Sequence, residues 1–285
     1  MWIGDDAAVL EGGLLFATDV LAEGVHFDLT WSTPADAGWK ALAVNCSDVA
    51  AMGGAPRAAV AAVVLPPGRP GLADEIAAGL QEGAAAFGCP LVGGDTAVGP
   101  CLSISVAVLG DAPPAGAVLR SGARPGDAVF VTGALGAAVA ALRALRRGEV
   151  PDAAGASRLH RPVPRLAEGL AAAGAGATAM IDLSDGLSSD LGHICAESGA
   201  GAVVSAESVP VGPGAGLDDA LSGGDDYELC FTAPDPATVA EVFAAAGLAA
   251  PAHIGVVVAG GGVLLADAGG TTRPLPPSGW EHPVP

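Results

Sequence analysis

The sequence predicts a mixed α/β fold in two domains, and three observations carry that prediction. Strand-length apolar runs alternate with helix-length amphipathic segments along most of the chain. A Pro/Gly-rich stretch, DAPPAG at 111–116, interrupts the alternation and reads as a linker. At 285 residues and 51% hydrophobic composition, the chain is long enough for two cores of ordinary size. The expected domains are residues 1–112 and 113–285.

Taken in order, residues 9–19 read as two short strands joined by the EGG turn at 11–13, the second ending on Thr18 and Asp19. Pro34 opens a helix that stops near Gly53-Gly54, and the three-residue spacing puts Asn45 and Asp48 on one of its faces. Residues 58–65 form a buried strand by their small and β-branched character, 74–87 a helix and 102–109 a strand. Beyond the linker, 128–132 is a strand, and 134–147 is a helix whose closing arginines suit its dipole. Residues 162–173 form a helix and 179–183 a strand that leads through DLSDG into a helix over 187–198. Strands at 227–232 and 253–258 flank a helix at 238–246, and Pro276-Pro277 marks an irregular tail.

Composition excludes several function classes. A formal net charge of −19 argues against binding a nucleic-acid backbone, which rests on Lys and Arg neutralising phosphates. Five widely spaced cysteines without a C-x-x-C pair indicate neither a disulfide framework nor a zinc site. With no basic segment before an apolar N-terminal run and no membrane-length apolar stretch, the expected setting is cytoplasmic, away from membranes. Lys40 is the only lysine and is followed by Ala41, so no P-loop exists; a G-x-G-x-x-G turn after a strand is absent too. Phosphates, if bound, must be held by metals and arginines.

Aspartates recur beside Gly, Ser or Thr: GDD at 4–6, TD at 18–19, SD at 47–48, GGD at 93–95, DLSDG at 182–186 and SGGDD at 222–226. Carboxylates on small-residue turns let oxygen ligands converge on a hard divalent cation. Each cluster alone is explained as well by an ordinary turn, but six together point to a multi-metal phosphate site. In IDLSDGL, Asp182 closes a strand while Ser184 and Asp185 open a helix, where free N–H groups favour phosphate oxygens; a plain N-cap is the competing reading. Gly93 and Gly94 can bring backbone close to a ligand beside Asp95, or form a simple turn. Arg120, on a turn-rich loop, can grip a phosphate with two hydrogen bonds or simply face solvent. His26, seven residues beyond Asp19, reads as structural in isolation.

Together the segments IGDDAAVL (3–10), TDVLAEGVHF (18–27), KALAVNCSDVAAMGGAP (40–56), LVGGDT (91–96), LRSGARPGD (119–127), IDLSDGLSSDLGHI (181–194) and LSGGDDYELCF (221–231) carry a resemblance. They resemble the thiamine-monophosphate kinases, in the family that includes aminoimidazole-ribonucleotide synthase and selenophosphate synthetase. The resemblance implies that family's two-domain fold with mixed sheets, a homodimer formed through the N-terminal domains, and ATP-dependent phosphorylation of thiamine monophosphate with several Mg²⁺. It marks Asp6, Thr18, Asp19, Asp48, Asp95, Asp182 and Asp185 as metal ligands. Gly94, Asp95, Arg120 and Ser184 become ATP contacts, and His26, Asp225 and Trp280 contacts to the organic substrate. Three departures stand out: few residues precede GDD, Ala17 occupies a position where a hydroxyl is common, and Asp225 replaces the usual Glu. No general base is expected, because a phosphate monoester, with its second pKa of about 6, is already a nucleophilic anion near neutrality. A sister ATP-using synthase, or a weakly catalytic phosphate-binding module, are the alternative readings.

Overall fold

The computed structural model describes residues 4–279 and contains two mixed sheets with helices packed on them. The first sheet has the order β1-β2-β5-β3-β4, built from β1 (Ala8–Leu10), β2 (Leu14–Ala22), β3 (Ala55–Leu65), β4 (Leu91–Val98) and β5 (Ser103–Asp111). Among the described residues of this sheet only β3 and β4 pair in parallel; their connection is α2 (Leu72–Phe87), the crossover that parallel neighbours need. Helix α1 (Pro34–Ala51) starts at a Thr33/Asp36 capping box and is buried along nearly its whole length, because it lies between this sheet, α2 and the second sheet's helices.

The second sheet has the order β12-β11-β8-β10-β6-β9-β7. Its strands are β6 (Ala128–Val131), β7 (Ala179–Asp182), β8 (Gly201–Ser205), β9 (Leu229–Ala233), β10 (Ala252–Val258), β11 (Gly262–Ala266) and β12 (Thr272–Pro274). The helices that accompany it are α3 (Ala137–Arg146), α4 (Ala153–His160), α5 (Leu166–Gly174), α6 (Leu187–Ser198), the short α7 (Leu217–Ser222) just ahead of the SGGDD segment, and α8 (Pro236–Ala245). The mixed α/β class expected from the sequence is therefore the class observed.

The C-terminal half of α1 joins the two sheets. Ala50 and Ala51 share a core with Ala171 and Ala172 of α5 and with Phe130, Phe231 and Phe243. Nearer its start, the Trp39 indole N–H donates to the Pro162 carbonyl at 2.8 Å, and its ring meets Phe87 edge-on, 4.9 Å between centroids.

Three local readings differ from expectation. Residues 91–98, expected as an apolar pair and a turn, form an edge strand that is exposed along almost its whole length. The strand expected from Tyr227 begins at Leu229, because Tyr227 itself has φ +49° and leaves the ladder. Strands β8, β11 and β12 and helix α4 carry too little periodic signal to be found by pattern.

Candidate active site

Five of the six aspartate motifs meet in a cleft of about 430 Å³ between the two sheets. Asp6 enters just before β1, Thr18 and Asp19 from the middle of β2, and Asp48 from α1. Asp182 comes from the end of β7, with Ser184 and Asp185 in the turn that opens α6. The loop that carries Asp225 closes one side. It is zipped to the DLSDG turn: the Asp225 N–H donates to the Ser184 carbonyl and the Tyr227 N–H to the Leu183 carbonyl, each at 2.9 Å. Gly224 permits this approach, since a Cβ there would lie 2.6 Å from the Ser184 carbonyl oxygen.

Oxygens of Asp6, Asp48 and Asp182 all lie within 4.8 Å of one another. Such crowding of like charge, away from water, disfavours ionisation. Burial foremost, then the neighbouring Asp6 and Asp19, push Asp182 up to about 8, even though the Ser47 hydroxyl donates to its Oδ2 at 2.5 Å. Asp48 is pushed well up by burial and then by Asp19, Asp182 and Asp6. Asp19 is raised by burial and by Asp6. Asp6 is raised by burial although Arg120 opposes the shift with a two-pronged contact, Nη2 to Oδ1 at 2.9 Å and Nε to Oδ2 at 3.3 Å. One guanidinium does not balance this set.

Oxygen donors that converge in a buried, negatively charged hollow fit a hard divalent cation such as Mg²⁺, which would restore all of them to the ionised form. The Thr18 hydroxyl donates to the Val106 carbonyl at 2.9 Å, so its oxygen keeps lone pairs for such an ion. Asn45 fixes β2 here by accepting the Asp19 N–H at 3.0 Å.

A second, smaller hollow of about 120 Å³ opens beside the cleft and shares Val25, His26, Leu142, Arg146 and Asp225 with it. Phe27, Trp31, Leu159 and His160 line it, giving a partly aromatic wall suited to an organic ring. The His26 Nδ1 accepts the Ala22 N–H at 3.1 Å, and Asp225 is half-buried with φ +66°.

Of the residues singled out from the sequence, Asp6, Thr18, Asp19, Asp48, Asp182, Asp185, Ser184, Arg120, His26 and Asp225 line this continuous space. Gly94 and Asp95 do not. They sit on exposed β4, in a shallow hollow with Ala61 and Gln81. Gly94 has a packing reason of its own, because a Cβ would run into the Ala61 carbonyl of the paired strand. Trp280 lies outside the described residues. Ala17 is buried in the core of the first sheet and does not line the cleft.

Sequence reading misses four supporting groups. Asp5 accepts the Arg120 N–H at 2.7 Å, Ser47 holds Asp182, and Tyr227 donates to Asp225. Asp190 accepts the N–H groups of Asp185 and Gly186 at 3.2 and 3.0 Å, which fixes the start of α6. The i, i+5 pair of acids in SDGLSSD is the available signal for Asp190; the others are set by tertiary contacts alone.

The AIR synthase related protein N-terminal domain model matches residues 4–112, and its C-terminal domain counterpart matches 124–267. The chain is 43% identical over 254 residues to a thiamine-monophosphate kinase of Salmonella typhimurium, a match that covers 82% of this chain and 76% of that protein. Among solved structures, AaThiL complexed with AMPPCP and TMP superimposes with a TM-score of 0.88 at 33% identity, covering 99% of this chain and 92% of that one. The thiamine-monophosphate kinase of Stenotrophomonas maltophilia gives 0.82 at 38% identity, covering 93% and 90%. Matched in sequence and fold over most of its length, this chain belongs to the AIR synthase related family and, within it, to the thiamine-monophosphate kinases.

Proposed function

We propose that the cleft carries out ATP-dependent phosphorylation of thiamine monophosphate to thiamine pyrophosphate by direct in-line transfer. The observation that carries this reading is the junction of two hollows: a carboxylate-rich cleft with Arg120, open to a partly aromatic pocket with His26 and Asp225. A nucleotide's phosphates belong in the first and the organic part of the acceptor in the second. The acceptor phosphate then lies where the two spaces meet.

Asp6, Thr18, Asp19, Asp48, Asp182 and Asp185 would hold several Mg²⁺, which supply charge neutralisation and orientation to the crowded phosphates. Arg120, with Asp5 and Asp6 fixing its backbone and fork, is preset to grip a nucleotide phosphate. Ser184 and the start of α6 offer hydroxyl and N–H donors to the same group. His26 and Asp225 orient the acceptor ring. No side chain is required to accept a proton, because the attacking oxygen is already anionic; the chain positions, excludes water and balances charge.

We propose further that residues 1–112 bind metal and ATP and form a homodimer, and that 113–285 complete the site. Strand β4 supports the dimer: Val92 and Val98 on it are 67% and 77% exposed, and its outer edge lacks a neighbour among the described strands. Asp95 and Gly94 stand on that strand, so their role as metal and ATP contacts depends on the assembled pair. Among the described residues no helix is long and apolar enough to cross a membrane, and we place the enzyme in the cytoplasm, where its nucleotide substrate is made. The test is product analysis with purified protein, ATP, Mg²⁺ and thiamine monophosphate. Equal amounts of ADP and thiamine pyrophosphate are expected; ADP with free phosphate and no pyrophosphate product would overturn the acceptor.

A further inference from the structure

We infer that Lys40, the chain's only lysine, is a positioning residue for the acceptor: it holds Asp225 and the His26 loop in the geometry that receives the organic ring. The inference rests on the acceptor assignment above and extends it to a residue that lines the smaller pocket and not the carboxylate cleft.

Lys40 projects from α1 and is buried, where lysine is rare unless paired. Its Nζ lies 3.0 Å from Asp225 Oδ2 and donates to the His26 carbonyl at 3.2 Å. One ammonium therefore ties together two segments that belong to different sheets: the loop after β2, and the SGGDD segment ahead of β9. The second oxygen of Asp225 accepts the Tyr227 hydroxyl at 3.0 Å. Both Asp225 and Tyr227 are non-glycine residues at positive φ, +66° and +49°. Backbone in that region persists only where its surroundings impose it, and such residues concentrate at functional sites. Here the imposing contacts are the Lys40 ammonium and the two backbone bonds to the DLSDG turn.

The arrangement also has an electrostatic consequence. Asp225 stands at the boundary with a cleft already crowded by carboxylates, and an unpaired anion there would repel the acceptor's phosphate. The adjacent ammonium cancels that charge while leaving lone pairs on the partly exposed carboxylate to accept from a ring amine. An ion pair with one buried partner is weak evidence for stability as such, which leaves positioning as the better account of this one.

The experiment compares Lys40→Met, Asp225→Asn and the double variant in full-length protein, with KM measured separately for each substrate. For K40M, KM for thiamine monophosphate is expected to rise about ten- to a hundredfold, the effect of losing one charge-assisted hydrogen bond, with KM for ATP unchanged. The double variant should be no worse than the poorer single one, because both remove the same unit. An unchanged KM for thiamine monophosphate, parallel losses for both substrates, or effects that multiply in the double variant would each overturn the inference. If K40M does not fold, K40R decides. It keeps the charge but redirects the donors, so a raised KM for the acceptor supports the role and an unchanged one refutes it. Wild-type protein that forms no thiamine pyrophosphate would instead overturn the acceptor assignment, so the two failures are separable.

Discussion

Replacing Asp182 by Asn should make the metal-free protein more stable while it disables the enzyme. Asp182 is buried beside Asp6 and Asp48, and in the fold it holds its proton up to about 8. The unfolded chain releases the same proton near pH 4, at about the ordinary carboxylate value. A carboxyl raised in the folded state loses stability as pH climbs from the unfolded to the folded value, so the metal-free protein weakens between about pH 4 and pH 8. About four units at about 1.4 kcal/mol each set a ceiling of about 6 kcal/mol. Asp6 and Asp48 share that repulsion and adjust once one charge is gone, so we assign about 2 kcal/mol to Asp182, about a third of the ceiling. Asn is isosteric and its carbonyl oxygen still accepts from Ser47. For a chain of 285 residues, about 2 kcal/mol corresponds to a rise of about 3 °C in the thermal midpoint at about pH 8, shrinking toward zero near pH 5. The assay is thermal unfolding in chelator across that pH range, then with Mg²⁺ added, beside steady-state turnover. Mg²⁺ should stabilise the wild type more than D182N, and turnover should fall at least about a hundredfold. A D182N midpoint below wild type at the alkaline end in chelator, or equal Mg²⁺ stabilisation of both, would refute the reasoning.

Other perturbations separate the remaining roles. Arg120→Lys keeps the charge but loses the fork over Asp6, so KM for ATP should rise about tenfold with KM for thiamine monophosphate unchanged; steady-state kinetics reads this directly. Glu228 is fully buried and bound by Arg158, Arg165 and Thr132. Glu228→Ala should destabilise by about 3–5 kcal/mol in denaturant unfolding, independently of Mg²⁺, because two guanidinium groups lose their anion. Gly94→Ala should disrupt β3–β4 pairing, lowering stability by about 1–3 kcal/mol and weakening self-association in sedimentation. Intact association in G94A would detach β4 from the dimer.

The acidic motifs are legible in the sequence because each couples a carboxylate to a local turn, and local chemistry survives in a linear string. Asp6, Asp19, Asp48 and Asp182 group together by motif alone; how far their crowding shifts them does not follow from motif, since it depends on burial. Strand β4 reads as a turn because Gly93-Gly94 is turn-like, yet Gly94 is there for close parallel packing against Ala61. The same ambiguity hides that Asp95 stands apart from its own chain's cleft. Tyr227 and Glu228 look like the start of an apolar strand, but one is held at positive φ and the other is a buried carboxylate bound by half-buried arginines from α4 and the α5 boundary. In the sequence, Lys40 speaks only against a P-loop. Its partner Asp225 belongs to the far half of the chain, a pairing that no local pattern encodes.

The mechanism we propose rests on positioning and charge neutralisation, with no covalent phosphoenzyme and no general base. The most direct measurement of that claim is stereochemical: ATP made chiral at the γ-phosphorus with oxygen isotopes and sulfur, turned over with thiamine monophosphate, and the configuration at the transferred phosphorus read from the product. A single in-line displacement predicts inversion. Retention would mean two displacements through an enzyme-bound phosphoryl group, and would contradict direct transfer between the two bound substrates.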